Sequence, residues 1–330
     1  MIIFANWRSR VLLAFISAMA FFAPPSQAGE IPFEQWLKGV RQEALALGIK
    51  ASILDAALKD VKPIPRVIEL DRKQPEFTMT FSQYQSRVVP ASRVKRGKQR
   101  LNENRALLEK VSHKYGVQPR FIVAFWGIET DFGRMTGGYS LIKALSTLAY
   151  DGRRGAYFRK ELMNALKILD QGHIDVNNML GSWAGAMGQS QFMPSSFLAY
   201  AEDFNGDGRK DIWKTKADVF ASTANYLARA GWKGDQTWGR RVRLPKGFNI
   251  KHAGLKVKKR LSQWQKIGIR RANGSDLPKH DLSASLVLAE KSANGAAYLV
   301  YSNYRSILKW NRSTYFAVAV GTLADKIASR

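Results

Sequence analysis

Between Phe121 and Thr130 the chain carries one ionisable side chain, Glu129, in a run that is otherwise uncharged and mostly apolar. Such a run must be buried, and its length and spacing predict an enclosed helix. Gln118-Pro119 supplies the start, since proline is pre-set for a first turn. Gly133 and the pair Gly137-Gly138 supply the stop. Residues 121, 125 and 129 fall on one helical row, and Ile122 and Phe125 share the face with Glu129. A carboxylate therefore stands where the pattern predicts a buried apolar side chain. Ionising it there is costly, so the acid form is favoured, as a general acid requires. Pairing with a neighbouring arginine such as Arg134 would explain the same residue. Spacing alone leaves both readings standing.

Residues 1–28 read as a cleavable export leader. Arg8 and Arg10 precede the apolar residues 11–23, and Ser26 and Ala28 provide the small side chains for a cut before Gly29. The apolar stretch is shorter than the roughly 20 residues that span a bilayer. The chain has no cysteine, so neither a lipid-bearing cysteine nor a disulfide framework is available. The expectation is an exported, soluble monomer without a stable membrane anchor.

The formal charge is +26, and the two leader arginines leave +24 on the remainder. Such a charge favours polyanions. Export argues against nucleic acid as the partner. The cell wall, with its peptide carboxylates and nearby anionic lipid, is what an exported chain meets. A solvated basic surface without a target fits the charge as well.

Helical spacing recurs over residues 33–58, 81–88, 102–115, 141–149, 157–169 and 315–327. Residues 234–284 are rich in Lys and Arg, broken by Gly247, Gly254, Gly268 and Gly274, and read as a small β-rich insert. The organisation expected is a leader (1–28), an N-terminal α lobe (29–115), a core (116–233), the β-rich lobe (234–284) and a helical segment completing the core (285–330). The fold class is mainly α, of the α+β kind.

Residues 181–194 read Gly-Ser-Trp-Ala-Gly-Ala-Met-Gly-Gln-Ser-Gln-Phe-Met-Pro. Gly181, Gly185 and Gly188 let a backbone approach a ligand closely. Trp183, Phe192 and Met193 offer flat apolar surface, and Ser182 and Gln191 offer hydrogen bonds. Sugar sites use that mixture, although a tight turn between helices would use the glycines too.

Gly-Ile-Glu-Thr at 127–130, followed by Gly-Ser-Trp-Ala-Gly-Ala-Met-Gly-x-x-Gln-Phe-Met-Pro-Ser-Ser at 181–196, resembles the lytic murein transglycosylase B family. The likeness runs from Trp36-Leu37 through residues 71–77 (Asp-Arg-Lys-Gln-Pro-Glu-Phe) and 148–154 (Leu-Ala-Tyr-Asp-Gly-Arg-Arg) to 310–314 (Trp-Asn-Arg-Ser-Thr). It implies a lysozyme-like catalytic core, a periplasmic location and peptidoglycan strands as substrate, with other wall enzymes as admissible partners. By position, Glu129 falls on the catalytic acid/base. Ser182, Gln191, Tyr226, Trp310 and Asn311 fall on sugar-contacting positions, and Tyr84 is a further one. Relatives often have tyrosine where this chain has Trp310, so stacking should survive while a phenolic hydrogen bond is lost.

The resemblance also implies the reaction. Glu129 protonates the glycosidic oxygen between N-acetylmuramic acid and N-acetylglucosamine, then takes the proton of the muramic acid 6-hydroxyl as a 1,6-anhydro ring closes. No cofactor enters. A hydrolase would need a second carboxylate roughly 5–9 Å away. Asp131 projects to a different side of the helix, and sequence does not place Asp151 or Glu161. A water-using muramidase and a non-catalytic wall-binding protein remain the alternatives.

Residues 203–214 follow a calcium-loop pattern in their first half, with Asp203, Asn205 and Asp207 at positions one, three and five, Gly208 at six and Arg209 at seven. Position twelve should be glutamate and is Lys214. Asp218 could supply the missing carboxylate. A structural Ca2+ (or Na+) is expected here, against the alternative of an Asx-rich turn that needs no metal.

Overall fold

A computed structural model of the chain describes residues 31–73, 79–290, 292 and 295–329. The expected leader and residues 74–77 of the Asp71 motif lie outside the described residues. The chain divides into two compact units, Met1–Gln74 with Thr136–Ala199 and Pro75–Met135 with Tyr200–Arg330. Helices dominate, beside a two-stranded and a five-stranded antiparallel sheet. The chain is mainly α with a minor β part. Among the described residues no helix is long and apolar enough to cross a membrane.

In the first unit the helices Leu141–Tyr150 and Gly155–Asp170 form an antiparallel pair, with Pro65–Lys73 packed on the former and Ala51–Ala57 on the latter. Two motifs that lie far apart in sequence meet here. Asp71, 1% exposed, accepts hydrogen bonds from Arg153 and Arg154, and Arg72 reaches Asp151 at 2.9 Å. Arg153 also donates to the Asp71 carbonyl at 2.6 Å. A buried carboxylate is tolerable when paired in this way. Tyr139–Ser140 pairs with Leu180–Gly181 beside Gly137. A Cβ on Gly137, whose φ is +91°, would lie 2.2 Å from the Gly181 carbonyl oxygen. Only glycine permits that approach.

The second unit is built on the helix Pro119–Thr130, which packs against Ala91–Glu103, Arg105–Tyr115, Lys216–Arg229 and Thr314–Ala328. Side chains 121–126 are all buried, as the apolar run requires. Pro119 occupies the first turn. The helix ends at Thr130, where the apolar run does, and Asp131 and Phe132 adopt φ of +49° and +63°. Their amides return to the Gly127 and Trp126 carbonyls, closing the C-terminus. Phe132 folds back over Gly127, where a Cβ would stand 2.8 Å from its ring.

The five-stranded sheet also belongs to this unit, in the order Lys259–Arg260, Ser283–Leu288, Ala297–Val300, Gly239–Arg243, Arg270–Arg271. Val242, Leu261, Trp264, Leu286, Leu299 and Tyr301 form its core. Its strands continue to Val300, and Ala297–Val300 is buried throughout. Short, continuously apolar runs of that kind do not announce themselves by alternation.

Candidate active site

Glu129 ends the apolar helix, one turn beyond Phe125. It is half-buried rather than enclosed. Thr130, Asp131 and Phe132 beyond it are buried again. Its Oε1 accepts a hydrogen bond of 2.7 Å from the indole Nε1–H of Trp310, 181 residues away. Trp310 is 5% exposed and packs on Phe125 at 4.6 Å and on Tyr226 at 4.7 Å between ring centroids. Tyr226 packs in turn on Tyr200 at 4.5 Å and donates its hydroxyl hydrogen to the Lys309 carbonyl at 2.7 Å. Burial, aided by the neighbouring Tyr200, pushes the Tyr226 phenol up to about 12. It therefore stays a neutral donor at any physiological pH. Tyr200 and Phe125 complete this aromatic surround, and only Phe125 was visible as a partner in the sequence, through its i, i+4 spacing to Glu129.

Arg134 does not take the role of ion-pair partner to the acid that its proximity suggests. It reaches Asp131 at 3.2 Å, and Arg93 and Arg96 reach the same carboxylate at 3.2 and 2.8 Å. Burial works to raise Asp131, but the hydrogen bonds and charges of Arg96 and Arg93 outweigh it and hold the carboxyl below its ordinary value. Asp131 is thus an ionised hub at the helix end.

The other candidate carboxylates are also engaged. Glu161, 2% exposed, accepts from the Ser195 amide at 2.8 Å and the Ser195 hydroxyl at 2.6 Å. Asp151 pairs with Arg72 at 2.9 Å.

The remaining sugar-site candidates divide between the units. Asn311, 4% exposed, follows Trp310 and accepts from the Ser313 amide at 3.0 Å, steering the chain into the helix Thr314–Ala328. Tyr84, 7% exposed, lies against Tyr315 at 5.6 Å. Ser182 and Gln191 belong to the first unit. The Ser182 hydroxyl accepts from the Ala186 amide at 3.0 Å and so closes the glycine-rich turn. Gln191 holds a φ of +48°, and its side-chain nitrogen donates to the carbonyls of Gly188 and Thr136 at 3.0 and 3.1 Å. A non-glycine residue in that conformation stores strain, a feature concentrated at binding sites.

The 203–218 loop is closed by its own backbone. Asp203 accepts from the amides of Gly206, Asp207 and Gly208, and Asp207 from that of Arg209. Asn205 donates to Asp207 at 2.8 Å. Asp218, fully buried, accepts from the Phe204 and Asp211 amides, both at 2.8 Å, clamping the loop's two ends. Burial raises Asp218 above the ordinary carboxylate value, against the pull of those amides. Among the described residues no three His, Asp or Glu side chains are arranged to hold a metal ion. The loop is rich in acceptors, with lone pairs to spare, and its own N–H groups suffice to close it.

Comparison with known proteins places this geometry. The Transglycosylase SLT domain model matches residues 32–325. Membrane-bound lytic murein transglycosylase B of Escherichia coli (strain K12) is 34% identical over 296 residues, covering 85% of this chain and 79% of the relative. SltB3 from Pseudomonas aeruginosa, solved in complex with NAG-NAM-pentapeptide, superposes with a TM-score of 0.87 at 44% identity, covering 90% of this chain and 80% of that one. It has also been solved with NAG-anhNAM-pentapeptide. The Escherichia coli lytic transglycosylase Slt35 in complex with calcium gives a TM-score of 0.76 at 29% identity, covering 92% of this chain and 94% of that one. The lysozyme-like fold expected for the catalytic core is the fold of these neighbours. With a family match over nearly its whole length and a half-buried glutamate under an aromatic surround, this chain belongs to the lytic transglycosylases of the SLT-domain family.

Proposed function

We propose that this protein cleaves the β-1,4 bond between N-acetylmuramic acid and N-acetylglucosamine in peptidoglycan, leaving a 1,6-anhydro end, with Glu129 as the single acid/base. The observation that carries the reading is the disposition of the carboxylates. Glu129 meets a neutral N–H donor among aromatic rings, whereas Asp131, Asp151 and Glu161 are held by arginines or by Ser195. A two-carboxylate hydrolase needs a second group able to act on water. A transglycosylase needs none.

The protonated Glu129 gives its proton to the glycosidic oxygen as the C1–O bond breaks, and N-acetylglucosamine leaves with its 4-hydroxyl restored. The acetamido oxygen of the substrate stabilises the anomeric carbon. The Glu129 carboxylate then removes the 6-hydroxyl proton, O6 bonds to C1, and the acid is regenerated. Tyr84, Ser182, Gln191, Tyr226, Trp310 and Asn311 are proposed to contact the sugars, on the family likeness. That SltB3 binds both NAG-NAM-pentapeptide and its anhydro counterpart supports the product assignment. Export through residues 1–28 brings the enzyme to the periplasm, where its +24 charge suits the carboxylates of the wall. Digestion of purified sacculi should release muropeptides that end in anhydro-muramic acid. Mass spectrometry decides the matter: products heavier by one water would make the enzyme a muramidase.

The 203–218 loop is proposed to take a structural Ca2+ (or Na+) through Asp203, Asn205, Asp207, the Arg209 carbonyl and Asp218. Hard oxygen donors on a tight turn suit such an ion, and Slt35 was crystallised with calcium. The loop already closes without it, so binding should be weak. Millimolar calcium is expected to raise Tm over an EDTA-treated sample. Identical melting in the two would end the metal assignment.

A further inference from the structure

We infer that a basic groove on the five-stranded sheet binds the acidic stem peptides of peptidoglycan through Arg241, Arg243 and Lys246; this rests on peptidoglycan being the substrate. Arg241 and Arg243 flank Val242, whose side chain enters the sheet's core, so both guanidinium groups leave from the opposite face. They stand roughly 7 Å apart along the strand, closer than the screening length of physiological salt, and therefore repel. Both are exposed, as is Lys246. No carboxylate among the described residues pairs with any of the three. Residues 239–290 hold 13 Lys and Arg against three acids, and those acids are engaged elsewhere. Asp276 pairs with Arg270, Asp281 with Arg260, and Glu290 accepts from the Phe81 amide. The three cations line a cavity of about 740 Å³, with Leu244, Phe248 and Ala272 among its apolar residues and no acid in its wall. Charge alone would draw any polyanion. The concave shape admits a short chain segment and not a flat bilayer. Its apolar wall takes aliphatic side chains, while the arginines take carboxylates through paired hydrogen bonds. The cavity shares Arg241 and Ala296 with a second one of about 630 Å³, which Phe81 also lines. Phe81 packs on Tyr315 at 5.2 Å, and Tyr84, a proposed sugar contact, packs on the same ring at 5.6 Å. The groove thus runs from beside a sugar-contacting position to the cations. A strand held there by its peptide stays at high local concentration over the cleft.

Titration of the full chain with a sugar-free stem pentapeptide, followed by backbone amide resonances, should shift residues 241, 243, 272 and 296. The double substitution Arg241→Gln with Arg243→Gln should weaken binding about 10-fold or more, the weight of hydrogen bonds to charged groups. Arg243→Lys keeps the charge and should stay within about threefold of wild type. The same peptide with its carboxyls amidated should bind the wild type at least about 10-fold more weakly. That comparison needs no variant, so it decides the matter even if the double substitution disturbs the fold. Equal affinity for the free and amidated peptides would overturn the inference. Shifts confined to Trp310 and Tyr226 would do so too, by placing the peptide at Glu129 alone. Phosphatidylglycerol vesicles that bind through Arg241 and Arg243 when the peptide does not would make the groove a lipid-headgroup site and overturn the peptide assignment. If sacculi are cut and the groove resonances ignore the peptide, this inference alone fails. If the groove binds the peptide and sacculi stay intact, the catalytic reading fails and the binding stands.

Discussion

Glu129→Gln is expected to abolish release of muropeptides from purified sacculi, with turnover falling roughly 10³-fold or more, the range over which a positioned acid accelerates such a step. Glutamine matches glutamate in shape, and its amide oxygen can still accept the Trp310 N–H that Oε1 accepts at 2.7 Å. The variant should therefore fold normally, with unfolding free energy within about 1 kcal/mol of wild type, and should still sediment with sacculi. Loss of turnover with retained fold and retained binding identifies a chemical role. Continued release of sugar fragments by a folded variant would remove Glu129 from the mechanism.

Asp71→Ala is expected to cost about 3 kcal/mol of stability by denaturant unfolding, as for breaking a buried ion pair. Asp71 is 1% exposed, and its carboxylate accepts from both Arg153 and Arg154. Arg154, 19% exposed, lies over the Phe158 ring at 4.8 Å and cannot turn to water without abandoning that contact. Removing the acid leaves two cations facing each other at the join of two helices. A change below about 1 kcal/mol would mean that Arg153, 41% exposed, is solvated well enough to compensate, and that the pairing is a surface feature.

These contacts mark where sequence reasoning stopped. Glu129 was legible because its position on an apolar helix contradicts its chemistry, and three- and four-residue spacing suffices to see that. Its half-buried state was not legible, because Thr130, Asp131 and Phe132 beyond it are buried again and no spacing rule separates it from them. Arg134 was the nearest cation in the sequence to pair with Glu129, yet its guanidinium, with those of Arg93 and Arg96, goes to Asp131. The two arginines from the helix Ala91–Glu103 arrive through helix packing that no local pattern encodes. Trp310 was read as a stacking surface that had lost a hydrogen bond, and its N–H makes one with the acid itself.

The order of residues by itself determined the enclosed helix, the acceptor-rich loop at 203–218 and the presence of a lone carboxylate among apolar neighbours. Each follows from dihedral preferences and from burial patterns that repeat within a single turn. Only the tertiary structure decided which donor meets Glu129, which arginines hold Asp131, and that Asp71 and Arg154 are partners. Apart from Arg134, three positions from Asp131, those pairings join residues 35 to 181 positions apart. They are selected by the mutual fit of whole helices, a property of the packed chain rather than of any short stretch of it.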